Sequence, residues 1–244
     1  MNTHTRDLHV PGGFNVRDLG GYSGQAGETR WRRILRSGGV HRIGDAGVEA
    51  LRAHGVTAIL DLHHAEEHST QPNPLRAVPG LAFHAVSLFE GLAPDTMAGG
   101  DVLLDLYLLA LETRAAAFAE AMEVIAAHDD GAILFHCSAG KDRTGLIAAL
   151  LLSLAGVPAQ TIIEDYALTA PRIAPLIAQF LADAESRGTP TEAYQPLLAC
   201  DPATMAATLA HLDSRHGGAA AYLAAAGVAP ETLRRLTARL SEDL

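Results

Sequence analysis

The segment with the clearest chemical pattern is residues 132–145, which hold a cysteine and an arginine six positions apart, Cys137 and Arg143. The apolar run before the cysteine predicts a buried strand, and a helical pattern begins near Thr144. A strand that enters a helix through a glycine-containing turn aims several backbone N–H groups at one point, where a tetrahedral dianion binds. The pattern therefore predicts a phosphate-binding loop composed of Ser138, Ala139, Gly140, Lys141, Asp142 and Arg143.

Cys137 and Arg143 supply complementary chemistry to this loop. The positive potential at a helix N-terminus favours thiolate over thiol, so the Cys137 sulfur is a candidate nucleophile. Arg143 offers a planar fork of donors that can hold two phosphoryl oxygens into the transition state. The other cysteine, Cys200, has no arginine six residues later and is interpreted as a small apolar residue at a helix boundary.

The composition restricts the class of protein that carries this loop. The chain has 244 residues, 48% of them hydrophobic, which is enough for one sizeable core. Its formal net charge of −10 disfavours binding to nucleic acid or to anionic membranes. Gly156 and Pro158 interrupt the uncharged stretch 146–163, so no integral membrane segment is expected. Residues 1–11 do not resemble a secretory signal, which predicts a cytoplasmic location and leaves export without a cleavable signal open.

Strand-like and helical patterns alternate in the first half of the chain. Apolar runs predict strands at residues 31–35, 57–62, 81–88 and 132–136. Helical spacing occurs at residues 45–53 and 101–128, and in several pieces after residue 144. This alternation predicts an α/β fold with a mostly parallel central sheet flanked by helices. We expect a single domain over residues 1–244, with an α/β core at 8–169, the loop at 136–144, and a helical extension or lid at 170–244.

The loop resembles that of the cysteine-dependent phosphatases, since Cys137-Ser-Ala-Gly-Lys-Asp-Arg143 follows a histidine and precedes a threonine. More narrowly, it is similar to the bacterial tyrosine phosphatases with lipid-phosphatase-like loops. Segments that look like landmarks of that family occur in the family's order at residues 14–21, 36–38, 59–62, 162–169, 215–223 and 233–240. The resemblance spans residues 8–240 and implies the cysteine phosphatase fold with tyrosine or dual-specificity phosphatase activity. One departure is His63, where the family usually has arginine.

The residues of the loop predict a two-step reaction. Cys137 would attack phosphorus in line, forming a cysteinyl-phosphate that water later hydrolyses. Arg143 and the loop N–H groups would hold the equatorial oxygens. The resemblance implies Asp142 as the general acid, which would have to carry a proton when substrate binds. Because the neighbouring N–H groups and cations oppose this, rival acids on a mobile loop stay open, namely Asp95, Asp101 and Asp105.

Two further loop residues have expected roles. Thr144 would donate a hydrogen bond to the thiolate as it leaves in the second step. Lys141 adds a cation beside the site, which the resemblance links to multiply phosphorylated lipid headgroups as well as phosphotyrosine. The expected partners are therefore a phosphorylated protein or a phosphoinositide as substrate, and a phosphate ion in the loop. No metal or cofactor is expected.

Other functions predict different behaviour of the same residues. A phosphotyrosine- or phosphoinositide-binding module without turnover has no need of the Cys137 thiolate, and a sulfurtransferase fits this loop less well than a phosphatase does. His64 and His68 match the H-x-x-E-H zinc peptidase signature. Pro72 and Pro74 leave little room for the helix that such a site needs, so a solvated histidine-rich turn is expected. Structural roles are predicted for Arg17, Asp18, Asp61 and His136.

Overall fold

A computed structural model describes residues 4–25, 27–92 and 101–241 of the chain. Its strands are β1 (Arg17–Asp18), β2 (Ser23–Gly24), β3 (Gly27–Glu28), β4 (Ile34–Ser37), β5 (Val56–Asp61), β6 (Ala82–Ala85) and β7 (Ala132–His136). Its helices in the first two thirds of the chain are α1 (Asp45–Ala53), α2 (Ala65–Thr70), α3 (Val102–Thr113), α4 (Ala115–Ala127), α5 (Asp142–Leu154) and α6 (Ala159–Ala167). The remaining helices are α7 (Thr169–Ile173), α8 (Ile177–Ser186), α9 (Thr191–Tyr194), α10 (Pro202–His211), α11 (Ala219–Ala225) and α12 (Pro230–Leu240).

The central sheet has five strands in the order β1-β4-β7-β5-β6, and β2 and β3 form a separate hairpin. Strands β4, β7, β5 and β6 are mutually parallel, whereas the short edge strand β1 is antiparallel to β4. The predicted mostly parallel sheet flanked by helices is therefore confirmed. In this register His136 lies beside Ser37 on one side and Asp61 on the other. The carboxyl ends of three strands thus meet where the cysteine loop begins.

Alternate side chains of the sheet enter two separate apolar layers, as the period of a strand requires. Leu35 and Leu134 pack on one face, in a cluster that includes residues of α1. Ile34 and Phe135 pack on the other face, against α3 to α6 and α10 to α12. Both faces of the parallel strands are covered, which explains why these strands read as almost continuous apolar runs.

The helices after residue 169 fall into two groups. Tyr222, Leu236 and Leu240, on α11 and α12, belong to the same buried cluster as Phe135 of the sheet. The part of the predicted extension that forms α10 to α12 is therefore built into the core. Helices α7 to α9 bury few of their described side chains.

The sequence pattern misjudged two local features. The predicted helix at 101–128 is two helices, because Arg114 leaves helical geometry (φ −115°, ψ 21°) and donates from its Nη2 to the Ser87 carbonyl at 3.1 Å. The segment after His64, expected to be a solvated turn, forms α2 and then a short 3-10 turn at Pro74–Ala77.

Within the described part of the chain, no helix combines the length and the apolar character that a membrane crossing would need.

The packing of α12 is tested by shortening one side chain. Leu236 is completely buried, so Leu236→Ala should lower the free energy of unfolding by about 2–5 kcal/mol. Leu109→Ala is the matched control, because that leucine is 37% exposed and its loss should cost less than about 1 kcal/mol. Urea unfolding followed by circular dichroism measures both values. Equal, small losses would contradict the placement of α12 in the core.

Candidate active site

Cys137 lies directly after β7, and its side chain is only 1% exposed. The residues that follow turn into α5, whose third residue is Thr144. The Thr144 hydroxyl donates to the Cys137 sulfur at 3.1 Å. The sulfur therefore sits at the N-terminal end of α5, where unpaired N–H groups and the helix dipole favour negative charge.

The carbonyl groups of residues 138–140 are all bonded to groups outside the loop. The Ser138 carbonyl accepts from the Gly39 N–H at 2.9 Å. The carbonyls of residues 139 and 140 each accept from Asn15 Nδ2 at 3.1 Å, and the latter also accepts from Arg36 Nη2 at 2.9 Å. Because the N–H and C=O of a peptide point in opposite directions, the loop N–H groups are turned away from these partners, as an anion-binding nest requires.

Gly140 is required by the turn. Its φ is +67°, and a Cβ atom on it would lie 2.5 Å from the Ser37 carbonyl oxygen. Any other residue would push the loop away from the end of β4.

A buried cluster of charges lies beneath the loop. The Asp165 carboxylate accepts from Arg17 Nε at 3.1 Å and from Arg36 Nη1 at 2.5 Å, and all three side chains are at most 2% exposed. Burial raises the pKa of Asp165, but the two guanidinium groups outweigh burial and hold that pKa below its usual range. Arg17 also donates to Asn15 Oδ1. Asp165 thus fixes both side chains that hold the loop carbonyls.

Burial and the neighbouring Arg17 charge lower the pKa of Arg36 to about 10, so this guanidinium stays charged at neutral pH. The ion pair between Arg17 and Asp165 agrees with the structural role predicted for Arg17.

Asp18 accepts from the backbone N–H groups of Gly20 and Arg32, at 2.8 and 2.7 Å, and so closes the turn after β1.

Arg143 is held by a carboxylate that the sequence analysis did not identify. Its Nη2 donates to Glu67 Oε1 at 2.8 Å, and its Nη1 donates to Glu67 Oε2. The Ser138 hydroxyl donates to the same Oε1 at 2.6 Å. Burial raises the pKa of Glu67, but the hydrogen bond and the charge of Arg143 bring it well below its usual range. The sequence feature that could have indicated this role is the position of Glu67 in the first turn of α2, the helix that follows β5.

Asp142 is the carboxylate of the loop itself, at the first residue of α5. Its Oδ1 accepts from the Tyr107 hydroxyl at 2.6 Å, and that hydroxyl lies 2.9 Å from the Tyr166 hydroxyl. Burial and the Asp142 charge raise the pKa of Tyr107, which keeps the phenol a neutral donor. The aromatic pair was not foreseen, because Tyr107 comes from α3 and Tyr166 from α6.

The sequence predicts that Lys141 places a cation beside the site, but its ammonium is directed elsewhere. Its side chain is completely buried, and Nζ donates to the carbonyls of Leu197 and Ala199, the latter at 2.8 Å. Nζ also lies 3.1 Å from Asp142 Oδ1. The ammonium therefore ties the loop to the segment after α9, because unpaired carbonyls there offer a buried cation its hydrogen bonds.

The rival acids have other positions. Asp101 precedes α3 and caps it by accepting from the Leu104 N–H at 3.1 Å, and it also accepts from the Thr204 hydroxyl at 3.0 Å. Asp105 is exposed on the same helix. Asp95 lies outside the described residues.

A histidine-rich cluster borders the loop. Asp61 Oδ1 lies 2.8 Å from His63 Nδ1, while His63 Nε2 lies 3.0 Å from the Ser138 hydroxyl. His136 Nε2 lies 2.9 Å from Asn73 Nδ2, the nitrogen of a side-chain amide. Burial lowers the pKa of His136 to about 4, and the ring is neutral at pH 7. His63, the departure from the family pattern, is thus a direct neighbour of the loop.

The arrangement of His64 and His68 differs from that of a zinc peptidase. His64 caps α2 by accepting from the Glu67 N–H at 3.3 Å, and His68 Nδ1 faces Asp61 Oδ2 at 3.6 Å. Helix α2 is six residues long, and its glutamate is engaged by Arg143. Among the described residues, neither histidine belongs to a group of three close metal ligands.

Together these contacts form a loop that can bind an anion beside a cysteine sulfur at the N-terminus of a helix. The sequence profile of the tyrosine phosphatase family matches residues 8–242, and the chain belongs to that family. A tyrosine-protein phosphatase of Nostoc commune is 34% identical over 220 residues, which are 86% of this chain and 74% of that protein.

The alignments with two further relatives cover most of this chain and most of each relative. A putative tyrosine-protein phosphatase of Cupriavidus necator is 31% identical over 223 residues, 86% of this chain and 80% of the relative. The triple specificity protein phosphatase PtpB of Mycobacterium tuberculosis is 26% identical over 271 aligned positions, 93% of this chain and 96% of the relative. The chain is accordingly a phosphatase.

The support of the loop by Asp165 is tested by neutralising that residue. Asp165→Asn leaves two buried guanidinium groups without their counter-charge, so the free energy of unfolding should fall by about 3–5 kcal/mol. Inorganic phosphate should also bind more weakly, because Asn15 and Arg36 lose their anchor.

Asp7→Asn is the matched control, since Asp7 is 65% exposed in its pair with Arg172 and should contribute less than about 1 kcal/mol. Urea unfolding and phosphate titration of both variants give the comparison. If Asp165→Asn were no more harmful than Asp7→Asn, the buried cluster would not support the loop.

Proposed function

We propose that the chain hydrolyses phosphate monoesters through a cysteinyl-phosphate intermediate, with Cys137 as the nucleophile. The observation that carries this proposal is the 3.1 Å contact between the Thr144 hydroxyl and the Cys137 sulfur at the start of α5. A hydroxyl that donates to sulfur stabilises the thiolate before it attacks and again when it leaves phosphorus. In the first step the S–P bond forms and the P–O bond to the leaving group breaks. Water then attacks phosphorus, releasing inorganic phosphate and the thiolate.

The phosphoryl oxygens would be held by Arg143 and by the backbone N–H groups of residues 138–143. Glu67 orients the guanidinium of Arg143 through both of its carboxylate oxygens. Arg143 has five N–H donors, which lets it contact a carboxylate and a phosphate together. Glu67 is therefore a positioning residue in this proposal.

Asp142 is the carboxylate that we propose as the general acid. Its Oδ1 faces both the Tyr107 hydroxyl and Lys141 Nζ, at 2.6 and 3.1 Å. No donor among the described residues is bonded to Oδ2, which is thus the oxygen available to carry the proton for the leaving alkoxide or phenoxide. Tyr107 fixes the carboxyl group so that this oxygen keeps one direction.

A phosphotyrosyl protein is the substrate class that the surroundings favour. The ring of Phe89 lies 5.7 Å from the Arg143 guanidinium carbon, so an aromatic surface stands beside the proposed phosphate site. Such a surface suits the ring of phosphotyrosine. A phosphoinositide substrate has less support, because the Lys141 ammonium that would serve its further phosphates is enclosed by the carbonyls of Leu197 and Ala199.

The nucleophile is tested with phosphotyrosyl peptide as substrate and chelator present. Cys137→Ser should reduce kcat by at least about 10³-fold, since serine is a far weaker nucleophile in this setting. Cys200→Ser is the matched control and should keep full activity. Phosphate release gives the rates. If the Cys137→Ser variant binds the peptide and hydrolyses it at the wild-type rate, a cysteinyl-phosphate intermediate is excluded. Loss of phosphate release to chelator in the wild type would indicate a metal-dependent reaction, and cleavage of thiosulfate would favour a sulfurtransferase.

The acid is tested by comparing two aspartates. Asp142→Asn should lower kcat for phenyl phosphate by about 10²–10⁴-fold and remove the basic limb of its pH profile. The effect should be much smaller for p-nitrophenyl phosphate, whose leaving group needs no proton.

Asp101→Asn is the control for a carboxylate that caps a helix, and it should keep the basic limb. The pH dependence of kcat for both substrates provides the measurement. Full activity in Asp142→Asn, together with loss of the basic limb in Asp101→Asn, would move the acid out of the loop.

A further inference from the structure

A group of potential metal ligands lies at the C-terminal end of α3. Glu112 Oε1 is 2.8 Å from His211 Nε2 and 2.9 Å from His216 Nε2. The ligand atoms of all three side chains lie within 4.8 Å of one another. The side chains are 37%, 26% and 19% exposed respectively, so an ion can reach them from solvent. None of the three takes part in the proposed phosphatase reaction.

The backbone brings the two histidines together by an unusual route. His211 ends α10, and the chain continues as a π-helical turn at Leu212–His216. In a continuous α-helix, residues five apart point about 140° away from each other. A π-turn closes i to i+5 hydrogen bonds and so places such residues on one face. The rings of His211 and His216 accordingly lie 5.8 Å apart, both directed at Glu112.

Neighbouring contacts hold these side chains in place. The His216 ring packs edge-on against Tyr222, with ring centroids 5.1 Å apart. The Tyr222 hydroxyl donates to the Leu111 carbonyl at 2.8 Å, next to Glu112 in the chain. Glu112 Oε1 is within hydrogen-bond distance of both imidazoles, so all three side chains already face one point. A fixed pair of imidazoles with an ionised carboxylate is a preorganised set of ligands.

We propose that Glu112, His211 and His216 bind a Zn²⁺ ion. Two imidazole nitrogens and one carboxylate oxygen form a ligand set that zinc uses, with water at the fourth position. Magnesium and calcium prefer sets composed entirely of oxygen, so this set favours zinc over them. The bound ion takes the place of the two hydrogen-bond contacts between the Nε2 atoms and Glu112 Oε1. It cross-links α3 to the end of α10 and stabilises the folded chain.

Zinc binding is tested by isothermal titration of metal-free protein with ZnCl₂. A Cys137→Ser background removes the thiolate that would otherwise compete for the metal. One equivalent should bind with saturation, and His211→Ala and His216→Ala should each weaken the affinity at least about tenfold, because one of three protein ligands is lost. The Tm should rise by about 5–10 °C at a hundredfold excess over Kd, and this rise should disappear in both variants.

His9→Ala is the matched control, because His9 is exposed and outside the cluster. It should leave both the affinity and the shift in Tm unchanged. Circular dichroism and the Tm in EDTA establish that each variant is folded before metal is added. One-equivalent binding that persists in the His211→Ala, His216→Ala double variant would overturn the site. Absence of saturable binding in the Cys137→Ser background would overturn it as well.

Discussion

The carboxylate of Asp165 holds two buried guanidinium groups beneath the cysteine loop, and the geometry of the loop depends on that contact. Arg36 connects Asp165 to the Gly140 carbonyl. Arg17 connects it to Asn15, whose amide donates to the Ala139 carbonyl. Buried charges of this kind are costly unless every one is paired, so the cluster is stable only in one arrangement. The loop N–H groups consequently have a fixed direction before any phosphate arrives, which reduces the reorganisation that binding requires.

Two carboxylates lie at the loop, and their surroundings give them different chemistry. Glu67 is bonded by both arms of Arg143 and by the Ser138 hydroxyl, so it stays ionised and cannot donate a proton. Asp142 receives a neutral phenol, Tyr107, and an ammonium whose charge is shared with backbone carbonyls. In the proposed mechanism, environments that differ in this way separate the group that orients the anion from the group that transfers the proton.

The helices outside the sheet have a direct part in this arrangement. Helix α3 carries Tyr107 to Asp142, and its capping residue Asp101 also accepts from Thr204 of α10. Helix α6 carries Asp165 and Tyr166, both of which contact groups at the loop. Helices α3 and α6 therefore support the loop from behind, and the extension contacts it through the Leu197 and Ala199 carbonyls that accept from Lys141.

The sequence by itself determined the loop and the elements beside it, because Cys137, Gly140, Arg143 and Thr144 act over a few consecutive residues. Strand β7 and helix α1 were also predicted with the bounds that the structure has. The tertiary structure alone decided the partners of the loop, since Asn15 meets Gly140 across 125 positions and Arg17 meets Asp165 across 148. It also decided that Lys141 turns to distant carbonyls and that Glu67 turns to Arg143. Local spacing constrains backbone geometry, whereas the direction of a charged side chain depends on which distant groups the sheet order brings within reach.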